Sequence, residues 1–218
     1  DNVEIKITLT RDYIGIDKDE EIQVPESKKI VLDLNGHYIQ YSSENLLNNL
    51  GNLKVIDETN ILDSDGYYSN GSGEILSSST LTIKNNGNIN IEKLKISELN
   101  IINTNILSSN NFSIISSKIP ELNINGILNL TKSNVNTLIN NGSENVSTHN
   151  SNIYYIKNME DGQIELNDSI VKSNIINNGV GDIFVNNTNV ESIYSLYGKI
   201  IDNAGAGNII INGGNITN

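Results

Sequence analysis

The sequence predicts an all-β protein built as a right-handed parallel β-helix, and three observations support this prediction. The first is composition, because the 218 residues include 40 Asn and 37 Ile but only 2 Ala. Asn competes with the helical backbone through its side chain, whereas β-branched Ile packs well in strands. The second is an internal repeat, and the third is the regular placement of Asn, Ser and Thr between short apolar segments.

The repeat is clearest from residue 128, where an apolar-x-apolar triplet, a polar turn and another apolar residue recur in that order. Copies begin at Leu128, Val146, Ile164, Ile183 and Ile209, so their starts are 18, 18, 19 and 26 residues apart. Each triplet is a short strand with two side chains on one face. Asn at the turn tolerates left-handed backbone angles and ends the strand. Stacked coils would therefore form interior columns of Ile and ladders of Asn or Ser.

Further apolar positions extend this pattern within each coil and towards the start of the chain. A second apolar position follows about ten residues after each start, at Leu138, Ile156, Ile175 and Ile193. Upstream copies, some of them looser, begin at Leu53, Leu81, Leu99 and Phe112. The 13 residues from Leu99 to Phe112 are too few for a whole coil. We therefore expect these two segments on different sides of the same coil.

Two other β architectures fit the sequence less well. A β-sandwich also contains many short strands separated by turns, but it does not require an 18-residue repeat. A left-handed helix of hexapeptides would require a strict six-residue period. Unequal spacings of 18, 19 and 26 residues instead favour the right-handed type.

The chain is expected to be one continuous domain with two parts. Residues 1–51 would form irregular N-terminal coils and a cap, and residues 52–218 the repetitive coils. The segment Ser43–Leu50 fits a short capping helix, with Ser43 as N-cap and Gly51 after its end, although it also fits a loop. The segment Asn208–Asn218 is another copy of the repeat. We expect this end to continue into further coils or to meet another chain.

A stretch near the N-terminus resembles a known family. Residues 22–39 contain Pro25, Lys28 and then the run Leu32-Asp33-Leu34-Asn35-Gly36 before Ile39. This stretch resembles the opening coils of pectate-lyase-like β-helix domains in bacterial surface and secreted proteins. The close match covers about 20 residues, and the rest of the chain resembles the superfamily only through its repeat. The resemblance implies the fold and an extracellular or bacterial cell-surface location.

The same resemblance indicates which catalytic residues an enzyme of this type would need. Lyases of the superfamily use an Arg or Lys base with carboxylate-bound calcium, and its glycosidases use paired carboxylates. Arg11 is the only Arg, and it precedes the first coil. Equivalent coil positions hold Asn129, Ser147, Glu165 and Phe184, so no column of carboxylates is expected. The sequence therefore favours a protein that keeps the fold without catalytic residues.

An acidic segment is the candidate metal site. Asp57, Asp63 and Asp65 lie close in sequence, and Asp63-Ser64-Asp65-Gly66 can place oxygens around a hard cation such as calcium. The closing Glu of a twelve-residue calcium loop is absent. A solvated acidic loop is the alternative interpretation, and no other cofactor is indicated.

Tyrosines are the candidate binding residues, because aromatic faces can stack on sugars or contact a protein partner. They are Tyr67, Tyr68, Tyr154, Tyr155, Tyr194 and Tyr197. The alternative is that one residue of each pair belongs to the core and the other is an ordinary exposed phenol.

Charge and hydropathy narrow the functions further. A net charge of −12 without a basic stripe argues against nucleic-acid binding. No apolar run approaches the roughly 20 residues that span a bilayer. The first hypothesis is therefore a non-enzymatic surface or secreted protein that acts in adhesion, through a glycan or protein receptor, or as a spacer. The alternatives are a divergent polysaccharide lyase or hydrolase and a non-catalytic carbohydrate-binding module.

Overall fold

The computed structural model describes residues 3–16, 20–103, 112–191 and 201–217, and these residues form strands and turns without a helix. The strands of the first half are β1 (Glu4–Thr8), β2 (Tyr13–Ile14), β3 (Ile22–Val24), β4 (Lys29–Asp33), β5 (Tyr38–Tyr41), β6 (Asn45–Asn49), β7 (Asn52–Ile56), β8 (Ile61–Leu62), β9 (Tyr68–Asn70), β10 (Glu74–Ser77), β11 (Leu81–Asn85), β12 (Asn88–Glu92), β13 (Lys95–Ile96) and β14 (Leu99–Asn103). Those of the second half are β15 (Phe112–Ile115), β16 (Lys118–Asn125), β17 (Leu128–Thr131), β18 (Asn134–Asn140), β19 (Val146–His149), β20 (Asn152–Asn158), β21 (Ile164–Asn167), β22 (Ile170–Val171), β23 (Ile175–Asn177), β24 (Ile183–Asn186), β25 (Asn189–Glu191), β26 (Ile201–Asn203), β27 (Ile209–Asn212) and β28 (Ile216–Thr217).

The strands stack into two long parallel sheets. Sheet A has ten strands in the order β1-β4-β7-β12-β15-β17-β19-β21-β24-β27. Sheet B has sixteen strands and covers two sides of each coil, because β16, β18 and β20 run from one side into the next. Among the described strands only β8 and β9 pair antiparallel. This arrangement confirms the predicted parallel β-helix.

Apolar side chains form columns inside the coils. Phe112, Leu128, Val146 and Ile164 occupy one such column on sheet A, and each is fully buried. One core cluster extends from Val24 to Val190 and combines residues of the first coils with those of the repeat. Burial of one Ile or Leu side chain stabilises a fold by about 1.5–3 kcal/mol. The interior columns are therefore the main source of stability.

Hydroxyl groups form a second repeating feature at the turn after sheet A. Each hydroxyl donates to the carbonyl two residues earlier and accepts the backbone N–H of its counterpart in the preceding coil. The members of this hydroxyl ladder are Ser117, Ser133, Ser151, Ser169 and Thr188. A left-handed residue precedes each member, at Ser116, Lys132, Asn150, Asp168 and Asn187. The predicted hydrogen-bonded turns are therefore present.

Buried amides form ladders on the third side. In the amide ladder, Asn140 donates to Asn158 at 2.9 Å, and Asn158 donates to Asn177 at 3.2 Å. Near the N-terminus, Asn49 donates to Asn85 at 2.8 Å. Glycine follows two residues after four of these Asn and donates its N–H to their side-chain oxygens. The buried side chains of these amide ladders are thus paired, as burial demands.

The helix considered for Ser43–Leu50 is wrong, because this segment contains strand β6. Strand β6 pairs with β3 on one side and with β11 on the other. Asn49 is fully buried in this arrangement, and its amide donates to Asn85. A helix of eight residues is marginal by itself. Pairing of the strand on both edges therefore outweighs the weak helical pattern.

The spacing arguments for the early coils have mixed outcomes. Leu99 lies in sheet B and Phe112 in sheet A, which confirms that they occupy different sides. Leu53 lies in sheet A, as the repeat predicts, but Leu81 stacks with Leu99 in sheet B. An apolar-x-apolar triplet occurs on every side of a coil, so the triplet alone cannot assign a side. Ile193 lies outside the described residues, and Ile201 pairs with Ile175.

A membrane span is not found among the described residues, since none of them belongs to a long apolar helix.

Candidate functional site

A loop that we call the strap, residues 57–73, crosses the edge of the coils and contains the acidic candidates and two of the tyrosines. Asp57 anchors its start: one carboxylate oxygen accepts from the Gly36 N–H at 2.8 Å, and the other accepts from the backbone and hydroxyl of Thr59. Asn60 is also buried and donates to the carbonyls of Gly73 and Lys93. These bonds hold both ends of the strap against the coils.

The acidic residues do not converge on one point. Asp57 is fully buried in the bonds of the strap anchor. Asp63 instead accepts the N–H groups of Asp65 and Tyr67, which closes a tight turn at the tip of the strap. Within residues 3–16, 20–103, 112–191 and 201–217, no three His, Cys, Asp or Glu form a group suited to a metal. The calcium hypothesis gains no geometric support from these three residues.

The strap tyrosines make intramolecular contacts. The Tyr67 hydroxyl donates to the carbonyl of Asn150, and Gly66 at the tip accepts from the Ser116 hydroxyl at 2.7 Å. Burial, followed by the nearby negative charges of the strap tip, raises the pKa of Tyr67. Tyr68 is 9% exposed and donates to the carbonyl of Gly71. The Tyr67 hydroxyl therefore attaches the strap to the coils, whereas the Tyr68 hydroxyl bonds within the strap.

The other tyrosine pair lies on β20 of sheet B. Tyr154 is 44% exposed, whereas Tyr155 is half-buried beside Thr137 of the preceding coil. Burial raises the pKa of Tyr155. Tyr154 is therefore the most exposed of the four described candidates. Tyr194 and Tyr197 lie outside the described residues.

A polar groove crosses the outer face of sheet A near the N-terminus. It has a volume of about 340 Å³. Its polar lining residues are Glu4, Lys29, Asn52, Lys54, Asn88, Asn90 and Ser113. These residues lie on neighbouring strands because outward positions recur at the same register in β1, β4, β7, β12 and β15. The groove is therefore a direct product of stacking.

One carboxylate outside the groove lining binds two of the groove residues. Glu92 pairs with the Lys54 ammonium at 2.8 Å and accepts from the Asn90 amide at 2.7 Å. The Asn90 Oδ1 atom is buried and has no hydrogen-bond partner in the described structure. Buried acceptors are nearly always paired, so this unpaired oxygen makes Asn90 an exception among the described groove residues.

One outward column of sheet A in the described later coils contains a single carboxylate. Asn129, Ser147, Glu165 and Phe184 are direct neighbours in the register of sheet A, as predicted. The Ser147 hydroxyl lies 3.5 Å from His149 Nε2, which is long for a hydrogen bond. In this part of the described chain, the outward column thus contains one carboxylate, which does not suffice for acid and base roles in glycoside cleavage.

An apolar cavity of about 420 Å³ lies inside the first coils. Its walls include Leu32, Leu47, Val55 and Ile83. The edge strand β1 leaves Ile7 46% exposed at its mouth. This cavity is part of the core beside the edge strand β1, and its lining is mainly apolar, with Tyr13, Glu20, Gln23 and Tyr41 as its polar members.

Comparison with known proteins adds no relative, since no family model, curated protein or solved structure matches this chain. The fold itself defines the class: the chain is an all-β parallel solenoid of the β-helix type.

The groove residues were not singled out from the sequence. Their signal is the alternation of polar and apolar residues in Asn52-Leu53-Lys54-Val55 and Asn88-Ile89-Asn90-Ile91. Such alternation predicts outward side chains on each strand. The 36-residue separation between the two segments conceals that they are neighbours, because one coil of this region includes the long strap.

Proposed function

We propose that this chain is a non-enzymatic, bacterial surface or secreted β-helix that acts in adhesion or as a structural spacer. The observation that carries the proposal is the uninterrupted stack of coils whose outward columns consist mainly of amides, hydroxyls and single charges. A structural or adhesive solenoid needs a long regular surface and no reacting pair. The resemblance of residues 22–39 to pectate-lyase-like surface domains supports the assignment to this class and location.

Turnover on polysaccharides tests this proposal. The purified chain would be incubated with neutral and acidic polysaccharides, with and without calcium, and both reducing ends and unsaturated products would be measured. We expect no product above that of a heat-denatured sample. Product formation that disappears in Glu165→Gln or Asp63→Asn would refute the non-enzymatic assignment and favour a divergent lyase or hydrolase.

The polar groove supports carbohydrate binding as a second candidate function. Asn52, Asn88 and Lys54 offer donors and acceptors in this groove of about 340 Å³. Binding of a sugar hydroxyl at Asn90 would give this unpaired buried oxygen a donor once the side chain turns towards the groove. Binding without cleavage would make the groove the adhesive site of the solenoid.

A glycan array tests the groove directly. We expect retention of a defined glycan class that Asn90→Ala weakens by about tenfold, the effect of losing roughly 1.4 kcal/mol. Asn129→Ala is the matched control, because Asn129 occupies the same outward column two strands further along and lies outside the groove. Equal binding by both variants would refute the groove as the glycan-binding site and would favour a site at the exposed Tyr154.

A further inference from the structure

Asn-Gly dipeptides are prone to deamidation, and the Asn-Gly pairs of this chain have different surroundings in the fold. In such a pair the glycine backbone nitrogen attacks the Asn side-chain carbon, a C–N bond forms, and the side-chain nitrogen leaves as ammonia. Water then opens the cyclic imide and leaves aspartate or isoaspartate. The pairs are Asn35-Gly36, Asn70-Gly71, Asn86-Gly87, Asn125-Gly126, Asn141-Gly142, Asn178-Gly179 and Asn212-Gly213.

Four of these glycine nitrogens are held away from the Asn that they would attack. The Gly36 N–H donates to Asp57 at 2.8 Å. The N–H groups of Gly87, Gly142 and Gly179 donate to the buried Asn two residues earlier, at 3.2–3.3 Å. A donating N–H that points into the coil cannot turn towards the neighbouring side chain without breaking this bond. These four pairs are protected by the ladders.

Two further pairs are restrained in other ways. Gly126 is buried, and its nitrogen lies directly beneath Gly142 of the next coil. The Asn212 side chain is exposed but donates to Asn186 Oδ1 at 2.9 Å, which holds its amide on the outer ladder. Closure of the imide ring at Asn125 would require the stacked backbone to move. Closure at Asn212 would require the amide bond to Asn186 to break.

Asn70 differs from all of these residues. It lies at the end of β9 in the strap, and both Asn70 and Gly71 are exposed. The Gly71 N–H donates to Asn70 Oδ1 at 2.9 Å, so the attacking nitrogen already lies against the side-chain carbonyl. Holding a nucleophile beside the group that it attacks accelerates such a reaction. The exposed position also gives water and base access to the amide.

The position of Gly71 explains why the reactive pair cannot be avoided by a larger residue. A Cβ at Gly71 would lie 1.8 Å from Oδ1 of the buried Asn60. Asn60 is the residue that holds the strap end to the coils through its bonds to Gly73 and Lys93. Isoaspartate at position 70 would lengthen the backbone next to this contact.

We propose that Asn70 is a site of spontaneous deamidation, and that its conversion loosens the strap from the coils. The modification needs only water and releases ammonia. It adds a negative charge and, as isoaspartate, one extra backbone atom beside the Asn60 contact. The hydrogen bonds that join Tyr67 to Asn150 and Gly66 to Ser116 then lose their alignment.

Peptide mapping of aged protein tests this proposal. The chain would be incubated at 37 °C in mildly alkaline buffer and digested with trypsin, which places all seven pairs in separate peptides. Asn70 lies in residues 55–84, Asn86 in residues 85–93 and Asn141 in residues 133–157. Mass spectrometry and isoaspartate-specific methylation would follow conversion. We expect Asn70 to convert at least about tenfold faster than Asn86 or Asn141.

Two controls separate the effect of the fold from that of local sequence. In concentrated urea the advantage of Asn70 should disappear, because all seven pairs then lose their restraints. In aged wild type, hydrogen exchange of residues 57–73 should rise, whereas the matched Asn70→Gln variant should not change. Equal rates in the folded chain, or an advantage that persists in urea, would overturn the proposal. Unchanged exchange in fully converted protein would overturn the loosening of the strap.

Discussion

Replacement of Asn158 by Ala is expected to destabilise the fold strongly, because this residue is the centre of the amide ladder. Its side-chain oxygen accepts from Asn140 at 2.9 Å. Its amide donates to Asn177 at 3.2 Å and to the Gly181 carbonyl at 3.1 Å. Asn158 is fully buried, so water cannot replace these partners without opening the coils.

The magnitude follows from the groups that the substitution leaves behind. Gly181 keeps a bond from Asn177 at 3.0 Å, and Asn177 keeps one from the Gly179 N–H. Loss of these two contacts therefore costs about 1 kcal/mol each. The Asn140 amide, in contrast, loses its acceptor while buried, which costs about 1–3 kcal/mol. The expected total is about 3–5 kcal/mol in the free energy of unfolding.

Urea unfolding of Asn158→Ala and of Asn152→Ala measures this difference. Asn152 lies on the same strand and donates to Asn134 at 3.1 Å, but it is half-buried on the outer face. Its loss should cost less than about 1 kcal/mol, since solvent satisfies the remaining groups. Hydrogen exchange of β18 and β23 would detect local opening if the solenoid does not unfold in one step. Similar losses for the two variants would refute the argument.

Three further perturbations test the other repeating features. Gly87→Ala should destabilise the chain by at least about 3 kcal/mol, because its Cβ would lie 2.0 Å from a backbone carbonyl of the coil below; thermal unfolding measures this. Ser151→Ala breaks the hydroxyl ladder and should cost about 2 kcal/mol, whereas Ser147→Ala on the outer face should be nearly neutral in the same assay. Burial opposes the charge of Asp33, but bonds from Lys6 and two backbone amides outweigh it and lower the pKa of this carboxyl. A carboxyl whose pKa is lowered by folding stabilises the protein above its unfolded pKa, and this stabilisation is lost as the pH falls. In Asp33→Asn, the free energy of unfolding should therefore decrease less steeply on the acid side of a stability–pH curve. An unchanged acid side would contradict this expectation.

The regular part of the fold was predictable because one coil specifies the next. From Leu128 onwards, spacing alone identified the strands of sheet A, and the register confirms the starts at Val146, Ile164, Ile183 and Ile209. The turn residues were also predictable in kind, since only a few side chains tolerate left-handed angles. Both signals repeat, so each copy supports the others.

The irregular coils were less predictable for a physical reason. In the first coils, the strap and the segment before Gly51 have lengths that no later coil repeats, so spacing carries no register there. Strand β6 is stabilised by β3 and β11, which lie far away in sequence. Its local pattern of Leu and Asn therefore suggested a helix, and only the two partner strands define it as a strand.

The candidate sites differ in the same way: some are visible within one segment of the sequence, and one is formed only when coils stack. The acidic and aromatic residues of the strap were conspicuous in the sequence, yet Asp57 and Tyr67 are engaged in bonds that attach the strap. The groove, in contrast, combines Asn52 and Asn88, which look ordinary in isolation and become neighbours only through the register of β7 and β12. In a solenoid, a binding surface is built across coils, so its residues share a position in the coil rather than a place in the chain. Candidate binding residues in such proteins are therefore best sought among outward positions of adjacent strands, where a column changes its chemistry.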